Sequence, residues 1–275
     1  MICVRLAVLS DIHGNLEALK RCFEYIDNSN IDGIVFCGDY ISDVPQSKEV
    51  LNYIRYKSEQ YRTWIVWGNR EEYVLDYHDS PVKNWTLESN NAAVLVAYNS
   101  FNEEDINYLR SLKKYEIIDI PGAPKIFVTH KFRDIPYNDN FNFKYVLFGH
   151  EHHQLFFAKK GIRFFNPGSA GLPADGFPGA SLLIIEFKNN GWEPTFIHLE
   201  YDISIPINII RNSQINSKTI RWGDMLIKTL ETGDDWTGKY IREVKRLAAK
   251  RNISTVLENI PYDIWKLARK NIGLE

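Results

Sequence analysis

Histidines concentrate at one point of this sequence. Of the seven histidines, His150, His152 and His153 fall within four residues, directly after the apolar run 145–148. Neutral imidazole is the side chain that most often binds metal ions in proteins. Alternate side chains of an extended segment point the same way, so we expect His150 and His152 to face one site and His153 to point away. The spacing indicates a metal site, although a polar rim at the end of a strand would give the same pattern.

Four other apolar runs also end in side chains that can bind metals. In chain order, the residues at the five run ends are Asp11 and His13, Asp39, Asn69, His130, and finally His150 and His152. In α/β sheets, ligands gather at the carboxyl ends of the strands, so these seven side chains are expected to meet at one rim. Nitrogen and oxygen donors without a thiolate suit manganese, iron, zinc, nickel or cobalt better than calcium or a structural zinc. Seven ligands exceed the need of one tetrahedral ion, and a bridging carboxylate would hold two ions about 3.5–4 Å apart.

The elements that must position these residues change along the chain. Apolar runs predict strands, and apolar residues at helical spacing predict helices. The predicted strands are 2–9, 33–37, 63–67, 115–120, 125–129, 145–148, 154–158, 162–166, 181–187 and 192–199. The predicted helices are 16–26, 47–58, 70–78, 86–99, 102–112, 219–231, 236–251 and 262–270. Strand–loop–helix units indicate an α/β fold, so we expect one domain over 1–205 and a helical extension over 206–275.

Composition limits the class of protein. The chain has 275 residues, a formal net charge of −2 and three cysteines without a Cys-x-x-Cys pair. This near-neutral charge gives no sign of binding to nucleic-acid polymers or membrane surfaces. No apolar run approaches the roughly 20 residues that a membrane helix needs, and sparse cysteines fit a reducing compartment. We therefore expect a cytoplasmic protein.

Five short motifs give the sequence a resemblance to a known family. In chain order they are Asp11-Ile12-His13, Gly38-Asp39, Gly68-Asn69-Arg70-Glu71, Thr129-His130 and Gly149-His150-Glu151-His152. Over roughly residues 3–200, the chain resembles the calcineurin-like metallophosphoesterases. The Gly-Asn-x-Glu form and Asn166-Pro167-Gly168-Ser169 resemble the small prokaryotic phosphodiesterase branch. The helical extension is similar to that of bacterial members for which hydrolysis of dinucleoside polyphosphates has been proposed.

The resemblance implies a four-layer αββα sandwich with a small C-terminal helical extension, and two divalent metal ions. It implies that both ions share Asp39 as a ligand. The remaining ligands implied are Asp11, His13 and His152 for the first ion, and Asn69, His130 and His150 for the second. The implied reaction is attack on phosphorus by a hydroxide that bridges the metals. Two cations suit this reaction because they lower the pKa of bound water and neutralise the phosphoryl oxygens.

Arg70 departs from the family pattern, in which many members carry a histidine that assists the leaving group. A guanidinium keeps its proton at physiological pH. Arg70 is therefore expected to hold a phosphate oxygen and stabilise transition-state charge, and not to act as a general acid. The leaving group should then be good by itself, like an aryl oxide or a nucleotide phosphate, or be protonated by water. The alternative is a salt bridge from Arg70 to Glu71 or Glu72.

Other polar side chains near the motifs are candidates for the substrate pocket. Asn15, Lys131 and Arg133 are expected phosphate contacts. The alternatives are a helix-start hydrogen bond for Asn15 and solvated loop charges for the other two. Glu151 is expected to face away from the metals by strand alternation. The C-terminal helices could cap the pocket or form a homodimer contact, and three of their aromatic side chains could stack on a base or simply pack: Trp222, Trp236 and Trp265.

These observations favour a phosphoesterase that hydrolyses phosphodiesters or nucleotide phosphoanhydrides. The expected partner is a small, nucleotide-like phosphorylated substrate. A phosphomonoesterase, including a protein phosphatase, is the alternative enzyme, and a non-catalytic binding scaffold is the alternative from another class. A roofed pocket would favour nucleotides, whereas a wide groove would favour protein substrates. A scaffold predicts eroded metal ligands, whereas all seven are present here.

Overall fold

The computed structural model describes residues 3–81, 85–136, 141–216 and 220–274. Its strands are β1 (Val4–Leu9), β2 (Gly33–Phe36), β3 (Thr63–Ile65), β4 (Tyr115–Ile118), β5 (Ile126–Thr129), β6 (Tyr145–Leu147), β7 (Gln154–Lys159), β8 (Ile162–Pro167), β9 (Ala180–Lys188) and β10 (Gly191–Leu199). Its helices are α1 (Leu16–Asp27), α2 (Ser47–Gln60), α3 (Asn69–Asp79), α4 (Ala92–Ser100), α5 (Glu103–Ser111), α6 (Ser204–Arg211), α7 (Trp222–Thr232), α8 (Trp236–Lys250) and α9 (Tyr262–Asn271). Residue 2 of the first predicted strand and residue 219 of the helix predicted over 219–231 lie outside the described residues.

The strands form two five-stranded mixed sheets. The first has the order β10-β9-β1-β2-β3, and its strands β1, β2 and β3 are parallel. The second has the order β4-β5-β6-β8-β7, and its strands β5, β6 and β8 are parallel. The other neighbours pair in antiparallel fashion. Parallel strands bring their carboxyl ends to a common edge, which is where the predicted ligands follow.

Side-chain alternation along the strands separates two cores. Leu6 and Val8 of β1 are buried with Val128 of the second sheet, in the core between the sheets. Ala7 and Leu9, which point to the opposite face of β1, belong to the core shared with the first five helices. Alternation with a period of two therefore buries both faces of this strand. Two packed sheets flanked by helices, with a helical part at the C terminus, confirm the fold expected from the sequence.

Two helices differ from the sequence prediction. The helix predicted over 86–99 begins at Ala92, because Thr86 and Ser89 hold the preceding residues in turns through side-chain and backbone hydrogen bonds. Helix α6 was not predicted at all. It is short, it buries only Pro206, Ile207 and Ile210, and its proline lies in the first turn, where a missing N–H is tolerated. With only eight residues, the segment is too short for a helical period to stand out in the sequence.

The C-terminal helices share a core that reaches into the first part of the chain. Trp222 and Trp265 lie in this core, which we call the C-terminal core, together with Val44 and Leu172. The boundary predicted at residue 205 falls inside α6, so the division into two domains stays a prediction.

The junction between α7 and α8 also contacts the first part of the chain. Gly233 ends α7 with φ +71°, in the left-handed region that glycine adopts without strain. The Gly233 carbonyl accepts a hydrogen bond of 2.9 Å from Gly176 N–H. A Cβ on Gly233 would lie 2.4 Å from the backbone nitrogen of Phe177. Glycine at this position therefore lets the loop over 167–179 pack against the end of α7.

The described helices are short. The longest, α8, has 15 residues. None of the helices in the described ranges is long and apolar enough to cross a membrane. The cytoplasmic location expected from the sequence stays a prediction.

Candidate metal centre

Five of the seven predicted ligands have a left-handed backbone. Their φ values are +54° for Asp11, +50° for His13, +55° for Asp39, +73° for His150 and +57° for His152. This conformation costs a non-glycine residue about 1–2 kcal/mol, and such strain clusters at functional sites. The extended alternation predicted for His150 and His152 is wrong, because the segment after β6 is not a strand. The two histidines instead enter two different ligand groups.

The first ligand group consists of Asp11, His13 and His152, whose ligand atoms lie within 4.8 Å of one another. The two Nε2 atoms are 3.1 Å apart, and Asp11 Oδ1 lies 3.8 Å from His13 Nε2 and 3.3 Å from His152 Nε2. Each imidazole is held through its other nitrogen. His152 donates from Nδ1 to the Leu172 carbonyl at 2.6 Å, and His13 donates from Nδ1 to Asp43 Oδ2 at 2.8 Å. In neutral rings these bonds leave both Nε2 lone pairs facing the same point.

The second ligand group consists of Asp39, His130 and His150, also within 4.8 Å of one another. His130 donates from Nδ1 to the Cys37 carbonyl at 2.8 Å, which leaves its Nε2 free to bind a metal. This Nε2 atom lies 3.4 Å from Asp39 Oδ1 and 3.2 Å from Asn69 Oδ1. Asn69 therefore adds an amide oxygen to the group.

Asp39 lies between the two groups. Its Oδ1 atom is 3.4 Å from His130 Nε2, and its Oδ2 atom is 3.9 Å from His13 Nε2. Gly68 leaves room for this carboxylate, since a Cβ there would lie 2.2 Å from Asp39 Oδ1. One carboxylate with each oxygen turned to a different imidazole has the arrangement needed to bridge two ions.

The donor set fits cations. Asp11 Oδ1 is buried and has no hydrogen-bond partner among the described residues, although buried carboxylate oxygens are normally paired. Imidazole lone pairs, carboxylate oxygens and an amide oxygen converge here, and such atoms repel one another unless protons or cations lie between them. Hard and borderline divalent ions accept these donors.

The charges in the centre also favour cations. Burial by itself would lower the pKa of His13, but the nearby carboxylates of Asp11 and Asp43 outweigh burial and raise this pKa to about 9. In the same way, Asp39 raises the pKa of His130 to about 9. The histidines in turn hold the pKa values of Asp11 and Asp39 below their usual range, against the effect of burial. Both carboxylates therefore stay ionised at neutral pH.

Arg70 does not pair with either predicted acid. Its Nη2 atom lies 3.0 Å from Asp43 Oδ2. The alternative predicted a salt bridge from Arg70 to Glu71 or Glu72. Arg70 does form a salt bridge, but its partner is Asp43. Sequence reasoning missed Asp43, and the signal that could have found it is a second acid only four residues after Asp39 in the loop that follows β2.

Glu71, which the sequence analysis considered only as a salt-bridge partner of Arg70, has a different role in the structure. Its buried carboxylate accepts backbone N–H groups from Gly68 at 2.7 Å, Asp39 at 3.0 Å and Tyr40 at 2.8 Å. These bonds tie the loop after β2 to the loop after β3. Glu71 thereby fixes the backbone that carries Asp39 and Asn69.

Three predicted substrate contacts are not placed at the centre. Asn15 is fully buried, donates to the Gly171 carbonyl and the Tyr201 hydroxyl, and accepts the N–H of Ala18 at the start of α1. The prediction of a phosphate contact for Asn15 is wrong, because its side chain holds the helix start. Lys131 is buried and lies 3.7 Å from Glu72, and Arg133 is exposed. Neither lines the large cavity beside the ligand groups, and their contacts with phosphate stay predictions.

A cavity of about 550 Å³ lies beside the ligand groups. From the first part of the chain it is lined by His13, Asp43, Arg70, His150, Glu151, His152, His153, Leu172, Pro173 and Ala174. From the C-terminal helices it is lined by Thr229, Asp235, Thr237, Gly238, Ile241 and Arg242. The helical extension therefore caps the cavity. Glu151 is exposed and lines this cavity, and it belongs to neither ligand group.

The aromatic side chains of the extension do not line this cavity. Trp222 and Trp265 are buried in the C-terminal core. Trp236 donates its indole N–H to Thr232 Oγ1 at 3.0 Å. Packing therefore accounts for Trp222 and Trp265, and a local hydrogen bond accounts for Trp236.

Comparison with known proteins identifies the family of this chain. The chain is 28% identical to the uncharacterized protein MJ0912 of Methanocaldococcus jannaschii over 229 residues, which cover 74% of this chain and 90% of that protein. It is 23% identical to phosphodiesterase MJ0936 of the same organism over 189 residues, covering 67% and 95% of the two chains. The crystal structure of a metallophosphoesterase from Sphaerobacter thermophilus has the same fold, with a TM-score of 0.64, 22% identity, and coverage of 84% of this chain and 100% of that one. Residues 4–190 match the calcineurin-like phosphoesterase superfamily domain. The chain therefore belongs to the calcineurin-like phosphoesterase superfamily.

Proposed function

We propose that this protein is a dinuclear metal-dependent phosphoesterase that hydrolyses phosphodiesters or nucleotide phosphoanhydrides. The observation that carries the proposal is the position of Asp39, whose two oxygens lie 3.4 Å from His130 Nε2 and 3.9 Å from His13 Nε2. A single carboxylate between two ligand groups is the arrangement of two-metal hydrolases. The unpartnered Asp11 Oδ1 supports the same conclusion.

Each ligand would have a defined role. The first ion would be held by Asp11, His13, His152 and Asp39, and the second by Asp39, Asn69, His130 and His150. Divalent ions bound in such a pair supply a water of lowered pKa and neutralise phosphoryl oxygens. The donor set accepts manganese, iron, zinc, nickel or cobalt.

Arg70 would act on the substrate directly. It lines the cavity, and its guanidinium keeps its charge at every physiological pH. It can therefore hold a phosphoryl oxygen and stabilise the charge that develops in the transition state. Since it does not give up a proton, the reaction should favour substrates whose leaving group departs without general acid assistance.

The C-terminal helices that cap the cavity favour a small substrate. A volume of about 550 Å³ falls within the range of about 300–1,000 Å³ that is typical of small-molecule sites. Helices α7 and α8 close one side of the cavity, which disfavours a phosphoprotein. The name of the relative MJ0936, a phosphodiesterase, supports diesters over monoesters. A nucleotide-like substrate, including a dinucleoside polyphosphate, fits these limits.

The test is hydrolysis of bis-p-nitrophenyl phosphate beside p-nitrophenyl phosphate in manganese, with Asp39→Asn as the control variant. We expect higher turnover of the diester, and loss of both activity and metal content in the variant. Monoester preference would contradict the diester proposal and favour a phosphomonoesterase. Near-normal turnover by Asp39→Asn would contradict the dinuclear centre. A metal-loaded protein without turnover of either ester would favour a binding scaffold.

A further inference from the structure

The C-terminal helices contact the two groups that orient the histidines of the first ligand group. His13 is oriented by Asp43, and His152 by the carbonyl of Leu172. Leu172 is itself part of the C-terminal core, and so is Val44, the residue next to Asp43. Both orienting groups are therefore seated against helices that begin more than 30 residues after Leu172 in the chain.

A hydrogen bond strengthens this link at Asp43. The indole N–H of Trp222, at the first residue of α7, donates to Asp43 Oδ1 at 3.1 Å. The other oxygen of the same carboxylate accepts from His13 Nδ1 at 2.8 Å. Trp222 and Asp43 are both nearly fully buried, so no solvent donor replaces the indole if it is removed. The C-terminal helices thus hold the Asp43 carboxylate through Trp222, and this carboxylate in turn orients His13.

Among the described residues, no hydrogen bond of this kind links the second ligand group to the C-terminal helices. His130 is oriented by the carbonyl of Cys37, and Cys37 lies in the core between the two sheets. The backbone of Asp39 is held by Glu71 of α3. In the described part of the chain, the core between the sheets contains no residue of α6 to α9. The C-terminal core therefore supports the first ligand group, whereas the core between the sheets and helix α3 support the second.

We propose that the C-terminal helices, through Trp222 and Asp43, position the first ligand group and leave the second unaffected. This inference rests on the proposed function, because it assumes that both groups bind a divalent ion. Groups that hydrogen-bond to metal-binding histidines typically change metal affinity by about 10–100-fold when they are removed. Removing the hydrogen bond from Trp222 to Asp43 should therefore weaken the binding of one of the two ions selectively.

The test compares two tryptophans of the same core. Trp222→Phe removes the N–H that reaches Asp43, whereas Trp265→Phe removes an N–H that donates at 3.2 Å to the Ile260 carbonyl within the extension. Both side chains are buried, so the two substitutions disturb the C-terminal core similarly. The full-length proteins are titrated with Mn²⁺ by calorimetry, and metal content is measured after dialysis. The variants His152→Ala and His150→Ala show which binding step belongs to which ligand group.

We expect Trp222→Phe to weaken by about 10-fold the step that His152→Ala abolishes, and to leave the other step within about twofold. Trp265→Phe should leave both steps unchanged. Equal effects of the two phenylalanine variants, or wild-type affinities in Trp222→Phe, would overturn the inference but not the proposed function. A wild-type protein that binds no metal would overturn both.

A milder variant covers the case in which Trp222→Phe does not fold. Val44→Ala truncates the side chain that seats the Asp43 segment in the C-terminal core, and Ile264→Val trims the same core on α9. Thermal unfolding followed by circular dichroism checks that each variant is folded. Selective weakening of the first step by Val44→Ala alone supports the inference, and equal binding by both variants overturns it.

Discussion

Asp43 Oδ2 and Arg70 Nη2 form an ion pair of 3.0 Å, and the same oxygen accepts the Nδ1 hydrogen of His13 at 2.8 Å. Asp43 thus serves as a common anchor: it binds both Arg70, which lines the cavity, and His13, a member of the first ligand group. Burial opposes the charge of Asp43, but Arg70 and His13 lower its pKa to about 2. The Asp43 carboxylate is therefore ionised at neutral pH.

Replacing this anchor should affect substrate and metal together. In Asp43→Asn the charge that fixes Arg70 is lost, and the hydrogen bond to His13 becomes a neutral one, which is weaker. We expect KM for the diester to rise and affinity for one metal ion to fall, each by about 10-fold. Steady-state kinetics and metal titration measure the two effects. Asp79→Asn, which loses an exposed ion pair with Arg110, is the control and should change neither.

Arg70→Ala separates binding of charge from assistance to the leaving group. If Arg70 only stabilises phosphoryl charge, kcat/KM should fall by about 100-fold for every aryl diester, whatever the pKa of its leaving group. The measurement is a series of diesters with graded leaving groups, compared between wild type and variant. A loss that grows as the leaving group becomes poorer would show that Arg70 assists its departure. Arg133→Ala, on an exposed residue outside the cavity, should retain wild-type rates.

The convergence of the seven ligands could be predicted because parallel strands end at one edge of a sheet. The partition of His150 and His152 agrees with what the family resemblance implies, but the strand pattern did not predict it, since it depends on left-handed φ values of +73° and +57° that no hydrophobic pattern encodes. Asp43 is hydrogen-bonded to Trp222, a residue 179 positions away in the chain. A sequence reveals periodicity and local order, whereas such a contact exists only once the C-terminal helices have packed.

Glu71→Gln should destabilise the fold around the centre. The carboxylate accepts three buried backbone N–H groups, and a glutamine replaces one accepting oxygen by an NH₂ donor that cannot serve them. A buried donor left without an acceptor costs about 1–3 kcal/mol. Urea unfolding of the chelator-treated protein should show a loss of that size. The partly exposed neighbour provides the control, and Glu72→Gln should stay within about 0.5 kcal/mol of wild type.

Metal binding should release protons at neutral pH. Without metal, the pKa values of His13 and His130 are raised to about 9, so both rings carry an extra proton at pH 7.5. A bound ion requires the unprotonated Nε2, so binding should release about two protons, and affinity should rise with pH until about pH 9. Calorimetry in two buffers of different ionisation enthalpy measures the release. Binding at pH 7.5 without proton release would contradict the raised pKa values, and release should vanish near pH 10.

Helix α8, which closes one side of the cavity, should determine the size of substrate that is accepted. Ile241 of α8 lines the cavity, whereas Lys245 on the same helix is exposed and does not. In Ile241→Trp the larger side chain fills part of the 550 Å³, so a bulky dinucleoside polyphosphate should lose at least about 10-fold in kcat/KM, and a small aryl diester much less. Lys245→Trp adds the same bulk to the outer face of α8 and should leave both rates unchanged. Equal losses for large and small substrates in Ile241→Trp would mean that α8 does not set the size of the pocket.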